Sequence, residues 1–310
     1  MSLVVHPGTT RLLAVVAVGV LSGCATTTLA STPPAPVVVP ATTVSTEADS
    51  VPTTTTTTTT VPPTPTTTTV PTTSTTIDTT TTTAPLVPEA DAVPPADPPI
   101  VPVGTSDGDE TRRAQERLLQ LGFWVNGADG DYGLTTRQAV MAFQKYHGLE
   151  TDGVLDEVTA QVMTAVDRRP TARADAGTLV EVDKGLQLLF FVIDGRVEWV
   201  LNTSTGSEIP YRERDQNTPG LWLEGDSVTR NGLHNVYRER AEGWWDGDLG
   251  SLYRPKYFSG GIAVHGSNHI PDYPASHGCV RVSVPAMDWI WESGLMPMDT
   301  AVWVHEGIED

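Results

Sequence analysis

The chain has 310 residues and a formal net charge of −19 at pH 7, from 38 Asp and Glu against 19 Lys and Arg. So acidic a protein repels phosphate, which makes nucleic acid and an anionic membrane surface unsuitable partners. Only two cysteines are present, Cys24 and Cys279, and their contexts are unrelated. A disulfide between them would tie a leader peptide to a Gly-rich turn, so each cysteine requires an explanation of its own.

Residues 1–24 have the features of an export signal. Arg11 precedes an apolar run over residues 12–21, which is shorter than the roughly 20 residues of a membrane-spanning helix but suits a secretory signal. The run ends in Leu21-Ser22-Gly23-Cys24, which resembles the lipobox of bacterial lipoproteins. The resemblance implies cleavage before Cys24 and diacylglycerol on its sulfur, so that several acyl chains anchor the protein to the membrane. The alternatives are an ordinary signal with a chance cysteine and an uncleaved anchor; all three predict an extracytoplasmic protein of the cell envelope.

Residues 25–107 form a Thr- and Pro-rich segment with long runs of threonine. This composition offers few large side chains to bury, so nothing offsets the conformational entropy of ordering the backbone. We therefore expect a disordered linker. A linker of this length spans roughly 50 Å as a flexible coil and up to roughly 250 Å as a polyproline-like chain, which suits a tether reaching into a thick layer outside the membrane.

Residues 108–168 show apolar residues at helical spacing, which predicts a small all-α module. We expect three helices near residues 110–121, 135–148 and 156–166, with Asp or Thr as N-caps and Gly as C-caps. An Asp-Gly pair with a Thr seven positions after the Asp occurs twice, at Asp129 and Asp152, and indicates two similar loop-to-helix turns. The pattern resembles the three-helix peptidoglycan-binding module, and the resemblance is carried by Leu121, Gly122, Phe123, Asp129, Gly130, Tyr132, Gly133, Phe143, Gln144, Asp152 and Gly153. Ligand binding by this copy and a purely structural spacer both remain open.

From residue 177 to 306 the pattern changes to short β-strands. Segments rich in Val, Leu and Phe predict strands at residues 178–182, 187–193, 196–202, 262–264 and 301–304. Asp194-Gly195 predicts a two-residue hairpin, and one helix is expected from near Pro285 to Gly294. A mainly β domain with a single clear helix indicates a sandwich or an open barrel. Residues 208–250 follow no recognisable pattern, and we expect them to form a lid.

Two motifs in this domain carry the chemistry: His265-Gly266 at the end of a predicted strand, and Ser276-His277-Gly278-Cys279-Val280-Arg281 in a turn after it. One unpaired cysteine after a glycine, near histidines in an exported protein, indicates a nucleophile. A thiol with a pKa of about 8.5 is mostly protonated at neutral pH, so it needs a base, which an imidazole supplies. The turn is also suited to aim the backbone N–H groups of Gly278 and Cys279 at a developing oxyanion. The alternatives are a buried apolar cysteine and a zinc site formed by His265, His269, His277 and Cys279.

These motifs resemble the catalytic motif of the L,D-transpeptidases, and the resemblance extends over about residues 177–305. It implies a mainly β, sandwich-like catalytic domain in which Cys279 is the nucleophile and His265 the general base. It also implies supporting roles in the turn and the oxyanion site for His277, Gly278 and Gly266. Arg281 would order the site or meet a substrate carboxylate, and Ser276 would support the histidines by hydrogen bonding. No cofactor and no metal are implied.

The implied reaction is a two-step acyl transfer on peptidoglycan. Cys279 attacks the carbonyl of the third stem residue, the terminal D-alanine leaves, and an amine of another stem attacks the thioester to form a 3→3 cross-link. With water as the acceptor, the enzyme would be an L,D-carboxypeptidase that trims tetrapeptide stems. A wall-binding lipoprotein tether without catalysis is the alternative from a different functional class. The implied partners are peptidoglycan stem peptides and glycan, with the membrane reached only through the lipid anchor.

Overall fold

The computed structural model of the protein describes residues 91–307. The export signal, the lipid attachment at Cys24 and the linker up to residue 90 lie outside the described residues and stay predictions. Within residues 91–307, none of the helices has both the length and the apolar character needed to cross a membrane.

Three helices make up the N-terminal module, as the apolar spacing predicted. They are α1 (Asp109–Leu121), α2 (Leu134–Tyr146) and α3 (Glu157–Ala165). Helix α1 ends at Gly122, whose φ of 87° lies in the left-handed region that favours glycine. Leu118 on α1 and Phe143 on α2 are fully buried and lie in the core that the helices share.

The repeated Asp-Gly pattern is explained by two buried glutamines. Gln115 on α1 accepts the N–H of Gly130 and donates to Asp129 Oδ1, both at 2.8 Å, and it also donates to the Thr136 hydroxyl. The second turn repeats these contacts one helix later, with Gln144, Gly153, Asp152 and Thr159 in the corresponding roles. A buried amide with every hydrogen bond satisfied fixes a turn strongly. The repeated residues therefore hold the fold of the module.

The segment before α1 is packed against the module from residue 91 onward. Val93 and Ile100 are buried in the core of the module, and Gly104 exchanges two backbone hydrogen bonds of 3.0 Å with Leu155. The prediction of a disordered linker up to residue 107 is therefore wrong for residues 91–107. The physical reason is that Val and Ile side chains replace the threonine runs here, so apolar burial offsets the entropy of ordering the backbone.

The C-terminal domain is a sandwich of two β-sheets with one helix, α4 (Val284–Ser293). Its strands are, in chain order, β1 (Leu179–Asp183), β2 (Leu188–Ile193), β3 (Arg196–Asn202), β4 (Tyr211–Arg214), β5 (Trp222–Gly225), β6 (Gly232–Asn235), β7 (Arg238–Glu239), β8 (Trp244–Gly247), β9 (Gly250–Ser259), β10 (Ile262–Ser267), β11 (Val280–Ser283) and β12 (Ala301–His305). The first sheet has the order β3-β2-β1-β12-β6. The second has the order β11-β10-β9-β7, with β8 also paired to β9, and β4 and β5 form a separate hairpin. Helix α4 begins after Ser283, whose side chain accepts the Ala286 N–H, and ends at Gly294 as predicted.

Strand β2 is buried on both faces, which explains its uninterrupted apolar sequence. Leu189 and Phe191 belong to the core between the two sheets, whereas Leu188, Phe190 and Val192 belong to the core shared with the helical module. The alternation follows from the two-residue period of a strand. The module therefore covers the outer face of the first sheet, and the two domains share a hydrophobic core.

Polar contacts cross the same interface. The Val200 N–H donates to Gly122 O (2.8 Å) and the Trp124 N–H donates to Val200 O (3.0 Å), so the chain after α1 pairs with the edge strand β3. Lys145 on α2 is buried and donates to the backbone carbonyls of Gln187 (3.2 Å) and Thr203 (3.3 Å) in the catalytic domain. Because burial disfavours the charged ammonium, the pKa of Lys145 falls to about 7.

Candidate active site

The second sheet brings the two sequence motifs together. Strand β10 carries His265 and runs parallel to β11, and the register places His265 opposite Arg281. Cys279 comes immediately before β11 and two residues before Arg281, so the two side chains lie on the same face of the sheet. All three residues line one cleft of about 950 Å³.

His265 is held as a neutral imidazole. Its ring is buried, and burial lowers the pKa of His265 to about 4, aided by the nearby positive charge of Arg281 and opposed by a hydrogen bond to Gly266 O. Nδ1 lies 2.8 Å from Gly266 O. A carbonyl only accepts, so Nδ1 carries the proton and Nε2 keeps its lone pair. The side chain is therefore prepared to accept a proton at Nε2.

The Cys279 side chain is half-buried and rests as a thiol. Burial raises the pKa of the Cys279 thiol, and the Ala263 N–H and the Arg281 charge oppose that rise only in part. Sγ lies 3.9 Å from Gly261 O, to which it donates weakly. A thiol of raised pKa becomes a nucleophile only when a base removes its proton at the moment of attack.

Ser276 fixes the shape of the turn that presents the thiol. Its Oγ accepts the Gly278 N–H (3.0 Å) and donates to Cys279 O (2.5 Å). The predicted support of the histidines by Ser276 is therefore wrong, since its hydroxyl contacts only the turn itself among the described residues. The Gly278 N–H is likewise occupied, so the prediction that it is aimed at an oxyanion is also wrong.

Gly278 must be a glycine for steric reasons. Its φ of 123° is closed to residues with a side chain, and a Cβ here would lie 3.1 Å from Val228 O. Its carbonyl accepts the Thr229 hydroxyl at 2.7 Å, which ties the turn to the segment before β6. Gly266 is similarly constrained, because a Cβ would lie 2.9 Å from the Tyr253 ring, and its carbonyl orients His265.

The His277 side chain contacts the β4–β5 hairpin, which belongs to neither of the two large sheets. Its Nε2 donates to Glu213 Oε1 on β4 at 3.0 Å, and its ring packs edge-to-face against Tyr211 at 4.7 Å between centroids. Its observed contacts thus couple the nucleophile turn to the β4–β5 hairpin. Among residues 91–307, no group of three or more His, Cys, Asp or Glu side chains is arranged to hold a metal ion.

Arg281 remains available to a ligand. It lines the cleft and stands two residues after Cys279, opposite His265 of β10. Burial lowers the pKa of Arg281, although a guanidinium stays charged at physiological pH. Within the described part of the chain it forms no ion pair, and a half-buried cation without a counter-ion favours an anionic ligand.

Residues from the 208–250 segment line part of the cleft wall, and a lid formed by this segment stays a prediction. The β4–β5 hairpin and the β8–β9 hairpin meet where Asn217 Nδ2 donates to Asp246 O (3.2 Å) and Asp248 Oδ1 (2.9 Å). The sequence patterns did not identify several residues of the cleft wall, namely Tyr211, Arg238, Arg240, Trp245 and Tyr257. One sequence signal could have identified two of these wall residues: Arg238 and Arg240 occupy alternate positions, which an extended strand places on the same face.

Comparison with known proteins finds relatives of both domains. Residues 177–304 match the family model of the L,D-transpeptidase catalytic domain, and residues 107–163 match that of a peptidoglycan binding domain. The solved structure of residues 123–326 of the L,D-transpeptidase from Xylanimonas cellulosilytica DSM 15894 is 45% identical, with a TM-score of 0.59. The similarity covers 69% of this chain and 100% of that one.

Two curated proteins match over short stretches. The N-acetylmuramoyl-L-alanine amidase CwlM of Mycobacterium tuberculosis is 36% identical over 62 residues, which are 20% of this chain. A probable N-acetylmuramoyl-L-alanine amidase of Bacillus licheniformis is 32% identical over 74 residues, which are 23% of this chain. The chain spans only 15% and 21% of the length of these two relatives.

Proposed function

Because this chain belongs to the L,D-transpeptidase family, we propose that it forms 3→3 cross-links between peptidoglycan stem peptides through a thioester on Cys279. The observation that carries the proposal is the presence, in one cleft, of a half-buried thiol and a neutral imidazole whose Nε2 can accept a proton. A neutral base and a protonated thiol in the same cleft are the resting state from which proton transfer during attack begins.

In the first half-reaction, Cys279 acts as the nucleophile and His265 as the general base. His265 Nε2 takes the thiol proton as Sγ bonds to the carbonyl carbon of the third stem residue. The tetrahedral intermediate then collapses, the C–N bond to the terminal D-alanine breaks, and the imidazolium returns the proton to the leaving amine. The hydrogen bond from Nδ1 to Gly266 O keeps the ring oriented through both transfers.

The negative charge on the tetrahedral oxygen requires donors in the cleft. Since the Gly278 N–H is bound to Ser276 Oγ, we assign the Cys279 N–H as the backbone donor. Arg281 supplies a positive charge on the same side of the sheet. A single donor of this kind is commonly worth 10²–10³ in rate. His277 acts indirectly, by holding the nucleophile turn against the β4–β5 hairpin.

In the second half-reaction, the acceptor is the side-chain amine of a diamino acid on another stem. The amine attacks the thioester carbonyl and loses a proton to His265 Nε2, the C–S bond breaks, and the thiolate regains the proton. The wide cleft between the two hairpins supports a peptide acceptor, because a second stem has to reach the thioester from solvent. The same steps with water as the nucleophile would release a trimmed tripeptide.

The remaining segments position this chemistry in the cell envelope. We propose that residues 1–24 direct export, that Cys24 carries a lipid anchor, and that residues 25–90 act as the tether. The peptidoglycan binding domain match at residues 107–163 supports a role for the module in holding the wall. Since the module packs on the first sheet and the cleft is formed by the second sheet and its hairpins, both could contact the wall together.

Product analysis by mass spectrometry tests the proposed function. The chain from residue 25, in which Cys279 is the only cysteine, is incubated with a disaccharide-tetrapeptide beside a Cys279→Ala control. We expect a cross-linked dimer that has lost one D-alanine, and none with the control. Tripeptide as the only product would identify an L,D-carboxypeptidase, and unchanged substrate would favour a wall-binding tether.

A further inference from the structure

Two arginines outside the catalytic motif line the same cleft. Arg238 lies on the short strand β7 and Arg240 follows one residue after it, so the two occupy alternate positions of an extended segment. The Arg238 guanidinium lies 3.9 Å from the centre of the Tyr257 ring, and that of Arg240 lies 3.4 Å from the centre of the Trp245 ring. Stacking on an aromatic face fixes the plane of a guanidinium and leaves its N–H edge open to a ligand.

Neither guanidinium has a carboxylate partner among residues 91–307. Arg240 Nε is buried without any hydrogen-bond partner there, and a buried donor left unpaired is costly. Four carboxylates also line the cleft. Glu224 pairs with Arg212 and Asp226 with Arg230, whereas Asp246 and Asp248 accept hydrogen bonds from the neutral side chains of Ser251 and Asn217. None of the four forms an ion pair with Arg238 or Arg240, so both guanidinium groups stay open to an anionic ligand.

The register of the second sheet relates these arginines to the nucleophile. Arg238 lies opposite Tyr257, Tyr257 lies opposite Ala263, and Val264 lies opposite Val280, which places Ala263 beside Cys279. Adjacent strands are about 4.8 Å apart, so three steps set the Arg238 and Cys279 backbones about 14 Å apart. The Arg238 side chain lies over Tyr257, one step nearer to the thiol.

Tyr257 lies on a strand between the arginines and the thiol, because it pairs with Arg238 of β7 on one side and with Ala263 of β10 on the other. Burial raises the pKa of Tyr257, and the charges of Arg238 and Arg240 oppose that rise. An extended peptide advances about 3.3 Å per residue, so a substrate acylating Cys279 would pass the two arginines within about four residues of its scissile bond.

We propose that Arg238 and Arg240 form an anion subsite that binds a carboxylate of the donor stem peptide, set back from the scissile bond. The proposal rests on the proposed function and adds a selectivity to it. The planar fork of a guanidinium matches a carboxylate with two parallel hydrogen bonds, and both arginines line the cleft from which such a carboxylate would approach. An amide at the same position offers one acceptor and no charge, so it binds this subsite weakly.

The test compares two synthetic tetrapeptide stems in which the second residue is linked to the third through its side-chain carboxyl; the stems differ only in whether the α-carboxylate of that second residue is free or amidated. We expect the wild-type chain from residue 25 to favour the free carboxylate in kcat/KM by about tenfold or more, as one charge-assisted pair commonly provides. In the Arg238→Gln, Arg240→Gln variant this preference should disappear through a rise in KM for the free carboxylate alone. A variant with Arg238→Gln and Arg240→Lys, which keeps one of the two positive charges, should recover part of the preference for the free carboxylate.

Arg214→Gln is the matched control, because Arg214 also lies over a tryptophan, Trp222 at 5.3 Å, but outside the cleft wall. It should leave the preference unchanged. Equal turnover of both stems by the wild type, or an equal loss on both stems in the double variant, would overturn the subsite. If the wild type turned over neither stem, the proposed function would fail; the ratio of the two Kd values on the Cys279→Ala chain, measured by calorimetry, would still decide the subsite.

Discussion

The buried ammonium of Lys145 should make the stability of the protein depend on pH. Its pKa falls from an ordinary 10.5 to about 7 because it is buried between the module and the first sheet. Between these two values the unfolded chain binds a proton that the folded chain does not. The free energy of unfolding should therefore rise with pH in this range, since stability increases wherever the unfolded state binds more protons.

The magnitude follows from the same shift. Each pH unit above the folded pKa adds about 1.4 kcal/mol, so this lysine contributes a rise of about 2 kcal/mol between pH 6.5 and 8.5. Lys145→Met keeps the length of the side chain and removes the titrating group. The variant should lack this rise, although it leaves the Thr203 carbonyl without its lysine partner.

Urea unfolding followed by tryptophan fluorescence at pH 6.5 and 8.5 measures both free energies. The control is Arg137→Met, which removes an exposed cation from the same helix α2 and should keep the wild-type dependence. If wild type and Lys145→Met show the same difference between the two pH values, Lys145 is charged in the folded protein at pH 8.5 and the reasoning from burial is refuted.

Three further predictions concern the nucleophile and its turn. Because burial raises the pKa of Cys279, its alkylation by iodoacetamide, followed by intact mass, should still increase with pH beyond the range of a free cysteine; a plateau below pH 8 would contradict a resting thiol. Ser276→Ala leaves the buried Gly278 N–H without its acceptor, so the unfolding free energy should fall by about 1–3 kcal/mol, and an unchanged urea midpoint would argue against the turn described. Gly278→Ala forces a side chain into φ 123° and against Val228 O, which should cost about 1–3 kcal/mol and slow acylation more than Gly133→Ala, where φ is −82° and a Cβ meets nothing within 4 Å.

The sequence was sufficient for the parts of the fold that rest on local pattern. The strands at residues 178–202, the Asp194-Gly195 hairpin and the helix ending at Gly294 all follow from periodicity and turn chemistry. The uninterrupted apolar run of β2 predicted the strand itself. It carried no information on what covers the second face, because the partner is a module far away in sequence.

The candidate site was predictable only as a set of residues. Cys279 and His265 stand in motifs whose chemistry can be recognised from the amino-acid sequence alone. The role of Ser276, by contrast, depends on which atoms its hydroxyl reaches, and periodicity does not contain that information. Arg238 and Arg240 escaped notice because β7 is only two residues long and half exposed, so it lacks the alternating apolar pattern from which strands are recognised.

The central claim is that Cys279 forms a thioester with the third residue of the donor stem. Intact-protein mass spectrometry of the chain from residue 25, quenched within one turnover of a disaccharide-tetrapeptide, tests it directly. The account predicts a mass gain equal to the substrate minus D-alanine, located on the peptide that contains Cys279 and absent from Cys279→Ala. Loss of D-alanine from the substrate at an undiminished rate with Cys279→Ala would contradict it.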